Sequence, residues 1–383
     1  MSRTTTQSLA ALLAVGTILS FGSLASAQTA APATQNEAAP RMAQPGAEMK
    51  SILDKLVDLG AKPIGTLSVE QTRAQPTPAD AVMAVMKDKS IAPDPMAAAI
   101  KTRDIKIPGA GGEVDARVYT PPGSGPFPLV VYYHGGGWVI ADIDTYDASA
   151  RSLAAGSKAV VVSVDYRHAP EHKFPAAHED AFAAYKWIVE HSGEMNADAT
   201  RIAVAGESAG GNLATNVAIM ARDAKITQPI HQLLVYPVAG NDMMTPSYQE
   251  NAEAQPLSKP AMEWFVSNVF ADKSQTADKR LNLVGRTDLQ GLPPATIINA
   301  QIDPLRSEGE AYAEKLKAAG VATEQKTYEG ATHEFFGMGT VVPQAKEAMT
   351  MATERLTAAF SATSGEATSS TSNAPAPTPA PAN

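Results

Sequence analysis

His134-Gly135-Gly136-Gly137-Trp138 and, further along the chain, Gly206-Glu207-Ser208-Ala209-Gly210-Gly211 are the two stretches whose reading decides the fold. The second sets a serine between two glycines at G-x-S-x-G spacing. A nucleophilic serine has to stand proud of a sheet on a sharp, strained strand-to-helix turn, and a side chain at either glycine would crowd that turn. The flanks supply the required context. Arg201-Ile202-Ala203-Val204-Ala205 is an apolar run of strand length, and residues 212–221 carry Leu213, Val217, Ile219 and Met220 in a helix-like run. The first stretch follows the apolar run Leu129-Val130-Val131-Tyr132-Tyr133 and reads as a glycine loop that completes an oxyanion hole. At ordinary Gly and Ser frequencies, G-x-S-x-G arises by chance in roughly one chain in ten of this length. Preceded by His-Gly-Gly-Gly it becomes specific, and the pair predicts a serine hydrolase acting on an ester-like carbonyl.

A serine hydroxyl is a weak nucleophile until a base takes its proton, and an acid must orient that base. With this kind of elbow the chain order is Ser, then Asp or Glu, then His. Of the seven histidines only His231 and His333 follow Ser208. His231 lies just before a core strand and leaves little room for an intervening acid. His333 follows the strand-like run 323–328 at a strand end, so it is the expected base. Asp303 follows the apolar strand ending at Ala300, at a carboxyl edge of the sheet, and is the expected acid. Asp223, Asp242, Asp272, Asp278 and Asp288 lie in polar or loop-like surroundings and read as solvated surface charges. Ala209, the residue after the nucleophile, supplies one oxyanion N–H. The loop supplies the rest, and which of Gly135, Gly136 and Gly137 donate is not readable from the residues. Trp138, Tyr236 and Phe335 are expected to contact substrate. His134 precedes Ser208 and reads as a structural residue of the loop. His168, His172 and His178 cluster along the chain, but their surroundings are turn-like and no zinc-enzyme signature is present, so no metal and no cofactor are expected.

Strand-like and helix-like runs alternate across the chain, which predicts the α/β class: a mostly parallel central sheet flanked by helices, here an α/β-hydrolase fold with a helical cap. Strands are expected at 105–107 and 114–119, as an antiparallel edge hairpin, and then at 129–133, 159–164, 202–205, 233–238, 295–300 and 323–328. Helices fit residues 176–190, 308–319 and 344–359. Residues 48–96 and 240–278 break the alternation and are expected to form the cap. Met243, Met244, Tyr248, Met262, Trp264, Phe265 and Phe270 then either line an acyl pocket or form the cap's own core.

The first residues read as a targeting segment. Arg3 gives a positive start, Leu9 to Leu24 is mostly apolar, and Ala25-Ser26-Ala27 is a cleavage site, so residues 1–27 are a signal peptide and Gln28 opens the mature chain. A periplasmic or secreted protein is expected. The chain has no cysteine, which excludes disulfides and a lipid-modified cysteine anchor. Residues 28–46 are Ala/Pro/Gln-rich and read as a disordered linker. Residues 363–383 read as a disordered Pro/Ala/Ser-rich tail, leaving 47–362 as the one hydrolase domain. A net charge of −9 argues against nucleic acid or anionic lipid as partner, and no second long apolar stretch predicts stable membrane insertion.

Together these motifs resemble the hormone-sensitive-lipase-like esterases, or bacterial family IV, over about residues 48–360. The resemblance rests on the two glycine-rich motifs, on Asp165-Tyr166-Arg167-His168-Ala169-Pro170-Glu171, on Asp303-Pro304-Leu305-Arg306 and on His333-Glu334-Phe335. It implies a Ser208–His333–Asp303 triad, oxyanion donors at Gly136, Gly137 and Ala209, and an N-terminal helical cap. It also implies a structural role for residues 165–171, short- to medium-chain acyl esters as small-molecule substrates, and a monomer or homodimer. The chain departs from the family pattern at Glu207, usually Asp, His168, usually Leu, Ser307, usually Asp, and Ala141, usually Gly. The alternative within the same chemistry is an exported deacetylase or lactonase with a dedicated substrate such as an acylated sugar. A binding-only relative of this fold lacks the catalytic histidine, whereas His333 is present here.

Overall fold

The computed structural model describes residues 42–370, with side chains described to residue 362. The expected signal peptide, most of the expected linker and the end of the expected tail lie outside the described residues. Four helices come first: α1 (Ala47–Asp58), α2 (Val69–Ala74), α3 (Pro78–Asp88) and α4 (Pro95–Ala98). The starts of α2 and α3 are set by capping boxes at Ser68 and Thr77, where each hydroxyl accepts a backbone N–H and the third residue answers in return. The eight strands are β1 (Lys101–Gly109), β2 (Gly112–Thr120), β3 (Phe127–Tyr133), β4 (Val160–Asp165), β5 (Ala197–Glu207), β6 (Gln232–Val235), β7 (Ala295–Ile302) and β8 (Thr323–Thr332). They form one sheet in the order β1-β2-β4-β3-β5-β6-β7-β8. The pairs β1–β2 and β2–β4 are antiparallel and all the others are parallel.

Residues along the central strands alternate between two apolar layers, as a period-two backbone requires when both faces are covered. Leu129, Val131, Val160, Val162, Ile202 and Val204 pack on one face against α6 (Ala176–Glu190), α7 (Ala209–Ala224) and α10 (Arg306–Ala318). Val130, Tyr132, Val161, Ala203, Ala205 and Val235 pack on the other against α5 (Asp147–Ser157) and α11 (Pro343–Ser370). The segment after β6 holds α8 (Pro246–Glu250) and α9 (Lys259–Val269), and its buried Met262, Phe265 and Val269 join the first layer.

Three boundaries differ from the sequence reading. β6 stops at Val235 rather than 238: Tyr236 turns to φ 35°, and Pro237 has no N–H to continue the ladder. α11 runs on to Ser370, into the expected tail, because no proline interrupts it before Pro375. Residues 42–46, expected to end the linker, are mostly half-buried, and the Gly46 N–H donates to the Gly330 carbonyl at 3.0 Å. Among the described residues no helix is long and apolar enough to cross a membrane.

Candidate active site

The chemistry-bearing residues all leave the sheet at the carboxyl ends of parallel strands. Ser208 follows β5, Asp303 follows β7, His333 follows β8, and the glycine loop follows β3, which pairs directly with β5. Ser208 itself sits at φ 56° and ψ −118°, off the regions a side-chain-bearing residue prefers and at a cost of about 1–3 kcal/mol. Its backbone is held on both sides. Its N–H donates to Val235 O at 2.9 Å, and its carbonyl accepts from Val238 N at 3.1 Å. Gly210 is glycine for a spatial reason: a Cβ there would overlap the Tyr133 carbonyl at the end of β3.

Ser208, His333 and Asp303 are brought into one line. His333 Nε2 lies 3.0 Å from Ser208 Oγ, and His333 Nδ1 lies 2.7 Å from Asp303 Oδ2. A buried carboxylate at Nδ1 keeps the proton there, so Nε2 presents its lone pair to the serine hydroxyl. Asp303 is fully buried and its second oxygen accepts from the Leu305 N–H at 2.8 Å. Burial pushes the His333 pKa down, but the Asp303 carboxylate, helped by Glu334 and Glu207, more than offsets it and raises the pKa above 6.5.

The glycine loop divides into supporting and cavity-facing parts. His134 Nδ1 lies 2.9 Å from Gly135 O, and the Tyr166 hydroxyl donates to His134 O at 2.8 Å while its ring stacks on His134. Segment 165–171 therefore props the loop from behind. Gly135 is part of that prop and does not line the cavity, whereas Gly136 and Gly137 do. Gly136 needs to be glycine: its φ is 91°, and a Cβ would run into the Ile140 carbonyl. Ala209 opens α7, where an N–H has no intrahelical acceptor and is free for an oxyanion.

Over these residues lies a cavity of about 980 Å³, walled by the cap. Met243, Leu257, Met262, Phe265, Val269 and Phe270 give its apolar side, as do Leu56 of α1 and Ile64 in the turn between α1 and α2. Met244 and Tyr248 also line it, while Trp264 does not. Trp138 is in the wall, but Tyr236 and Phe335 are not. This corrects the expectation of substrate contacts at both. The Tyr236 hydroxyl donates to Glu207 and its ring lies 4.4 Å from that of His333, so it sits beneath the histidine. Phe335 is fully buried against Tyr236 and Tyr328.

Arg73 and Glu308 escaped the sequence reading, and the contacts of Glu171, Glu207 and Glu334 appear only in the fold. Arg73 on the cap bonds both oxygens of Glu171 at 2.9 Å and also donates to Val139 O and Ala169 O, tying α2 to the flanks of the loop. That pairing holds the Glu171 carboxyl down at about 2. Glu207 is fully buried and takes the hydroxyls of Tyr132, at 2.5 Å, and Tyr236. Burial, against those hydroxyls, pushes it up to about 7. Glu334, at the rare φ of 70°, turns its carboxylate into the cavity wall, 3.8 Å from His333 Nε2, where Tyr146 donates to it at 2.6 Å. Glu308 is buried behind the site and accepts from the Ala239 N–H at 2.8 Å, which sets the loop between Val238 and Gly240 in the cavity wall. His231 is buried against Thr296, away from the line of three. His178 is buried against Asn212, apart from His168, its neighbour along the chain, which sits beside His134 and Asp165.

A family profile described as alpha/beta hydrolase fold matches residues 130–337, which span both glycine motifs, Asp303 and His333. Carboxylesterase NlhH of Mycobacterium tuberculosis is 44% identical over 241 residues, 62% of this chain and 75% of the relative. The chain belongs to the hormone-sensitive-lipase-like esterases of the α/β-hydrolase family. Ethyl acetate hydrolase of Pseudomonas putida is 32% identical to this esterase over 299 residues, 77% of the chain and 91% of the relative. Among solved structures, a hyperthermophilic esterase from the archaeon Pyrobaculum calidifontis matches with a TM-score of 0.72 at 36% identity, covering 83% of the esterase and 99% of that chain.

Proposed function

We propose that this esterase is an exported carboxylic ester hydrolase that cleaves short- to medium-chain acyl esters through an acyl-enzyme on Ser208. One observation carries the reading: Ser208 Oγ, His333 Nε2, His333 Nδ1 and Asp303 Oδ2 lie in hydrogen-bonded sequence at 3.0 and 2.7 Å, with Ser208 and His333 lining the cavity and Asp303 buried behind them. Ser208 attacks the ester carbonyl as His333 takes its proton. The N–H groups of Gly136, Gly137 and Ala209 stabilise the oxyanion, each worth about 3 kcal/mol in the transition state. The tetrahedral intermediate collapses, His333 returns the proton to the leaving alcohol, and water then cleaves the acyl-enzyme by the same route. No cofactor enters these steps.

Hydrolysis of p-nitrophenyl esters from acetate to palmitate tests the acyl range. Turnover is expected to peak at short to medium chains and to fall sharply by palmitate. Activity confined to carbohydrate acetates, with none on alkyl or aryl esters, would favour the dedicated-substrate alternative. Export is tested separately, since Edman sequencing of the protein released from its source cell is expected to start at Gln28.

The pH dependence follows from His333. Its Nε2 accepts the serine proton only when unprotonated, so kcat/KM is lost as pH falls through a pKa raised above the ordinary value. The acid limb is expected to have its midpoint above about 6.5. Glu334→Gln removes a negative charge 3.8 Å from Nε2 and is expected to move that midpoint down by about one pH unit. A midpoint that stays put or rises would show that Glu334 does not act on the histidine.

A further inference from the structure

Behind the glycine loop, one potential ligand atom from each of three side chains draws close to the other two. His134 Nε2 lies 3.3 Å from Asp165 Oδ1, His168 Nε2 lies 3.8 Å from the same oxygen, and one ligand atom from each residue falls within 4.8 Å of the others. Donors around a tetrahedral ion at about 2.0–2.2 Å stand about 3.3–3.6 Å apart, so two of the three spacings are already near those of a bound ion.

Hydrogen bonding makes the arrangement unusual. His134 Nδ1 faces the Gly135 carbonyl at 2.9 Å, and a carbonyl only accepts, so Nδ1 carries the proton. In a neutral ring Nε2 is then a lone pair pointed at a carboxylate, which also only accepts. His168 Nε2 is buried without a hydrogen-bond partner among the described residues. Among the described residues, the ion-pair partners of Asp165 are these two histidines alone, with no lysine or arginine. Arg73, the cation whose charge reaches His168, is committed to Glu171, and the Asp142 carboxylate opposes it.

We propose that His134, Asp165 and His168 form a binding site for a divalent cation of the zinc class in the wall of the substrate cavity. Two imidazoles and one carboxylate are a donor set that zinc accepts, and that calcium and magnesium, which favour all-oxygen sites, do not. Asp165 and His168 line the cavity, and His134 lies fully buried behind them. The ion is separate from Ser208 and takes no part in the ester chemistry. The grouping is not visible along the chain, because His134 and Asp165 come together only through the pairing of β3 with β4.

The test uses the untagged full chain, stripped with EDTA and titrated at pH 7 with Zn²⁺ by calorimetry and with Co²⁺ by visible absorption. One equivalent of Zn²⁺ is expected to bind, and Co²⁺ is expected to develop the intense visible bands of a tetrahedral site. His168→Leu and the near-isosteric Asp165→Asn, each checked for folding by thermal melting, are expected to weaken binding by at least about tenfold. His172→Ala is expected to leave it unchanged. Absence of saturable uptake in the wild type would overturn the proposal, because a proton shared between His134 and Asp165 would then fill the gap. Equal affinity in both folded site variants would overturn it as well. Neither readout depends on ester hydrolysis, so failure here is distinguishable from failure of the esterase reading.

Discussion

Ser208→Ala is expected to lower kcat for a good p-nitrophenyl ester by about 10⁶-fold while leaving the protein folded. The size of the effect follows from how much of the site converges on one oxygen. In the proposed mechanism the elbow, the His333 lone pair at 3.0 Å and the N–H groups of Gly136, Gly137 and Ala209 all serve a covalent bond to Oγ. Without that oxygen the cavity still binds ester and the donors still polarise its carbonyl, which is why a small residual rate above water is expected. The fold has little reason to respond. The Ser208 backbone is held by Val235 O and Val238 N, contacts an alanine retains, and the side-chain bond it gives up is that to His333. The check is a steady-state kcat beside a thermal melt of the same preparation. A variant that keeps more than a hundredth of wild-type turnover, roughly 10⁴ above the expected rate, would place the nucleophile elsewhere.

Asp303→Asn is expected to cost about 10⁴-fold in kcat, and its reason lies in one backbone N–H. Leu305 donates to Asp303 Oδ1 at 2.8 Å, so an asparagine satisfies that donor only by placing its carbonyl oxygen there. Its NH₂ group then stands where Oδ2 stood, 2.7 Å from His333 Nδ1. Two donors cannot face each other, so Nδ1 must give up its proton and Nε2 must carry one. A protonated Nε2 can no longer receive the proton of Ser208. The variant keeps the shape and burial of the site and alters the tautomer, so its loss should appear in kcat far more than in KM or melting temperature. A loss confined to KM would contradict the tautomer argument.

Much of this was legible along the chain because the relevant physics is local or periodic. The central parts of β3, β4, β5 and β7 are buried on both faces, so they read as predominantly apolar runs bounded by turns, and the observed strands contain those runs. The elbow was legible because only glycine tolerates its close approaches. Ser208, Asp303 and His333 were selected by chain order, and the fold brings them within hydrogen-bond reach.

What stayed hidden depends on contacts between distant segments. Nothing near Arg73 in the sequence announces that it reaches Val139, Ala169 and Glu171. Glu207 looked like a departure of unknown meaning until Tyr132 and Tyr236 were found on its two oxygens. Tyr236 and Phe335 sit beside motif residues in sequence, yet the turn at Pro237 and the burial of Phe335 carry both beneath the site rather than into it. Glu334 depends on a backbone angle that residue type does not encode, since a glutamate at φ 70° is held there by its surroundings.

The central claim, a covalent intermediate on Ser208, is tested most directly by treating the full chain with a fluorophosphonate and locating the adduct by peptide mass spectrometry. The account predicts one adduct per chain, on the peptide containing Ser208, slowed at low pH as His333 protonates and absent from Ser208→Ala. An unlabelled wild-type protein, or an adduct on another residue that survives in Ser208→Ala, would contradict it.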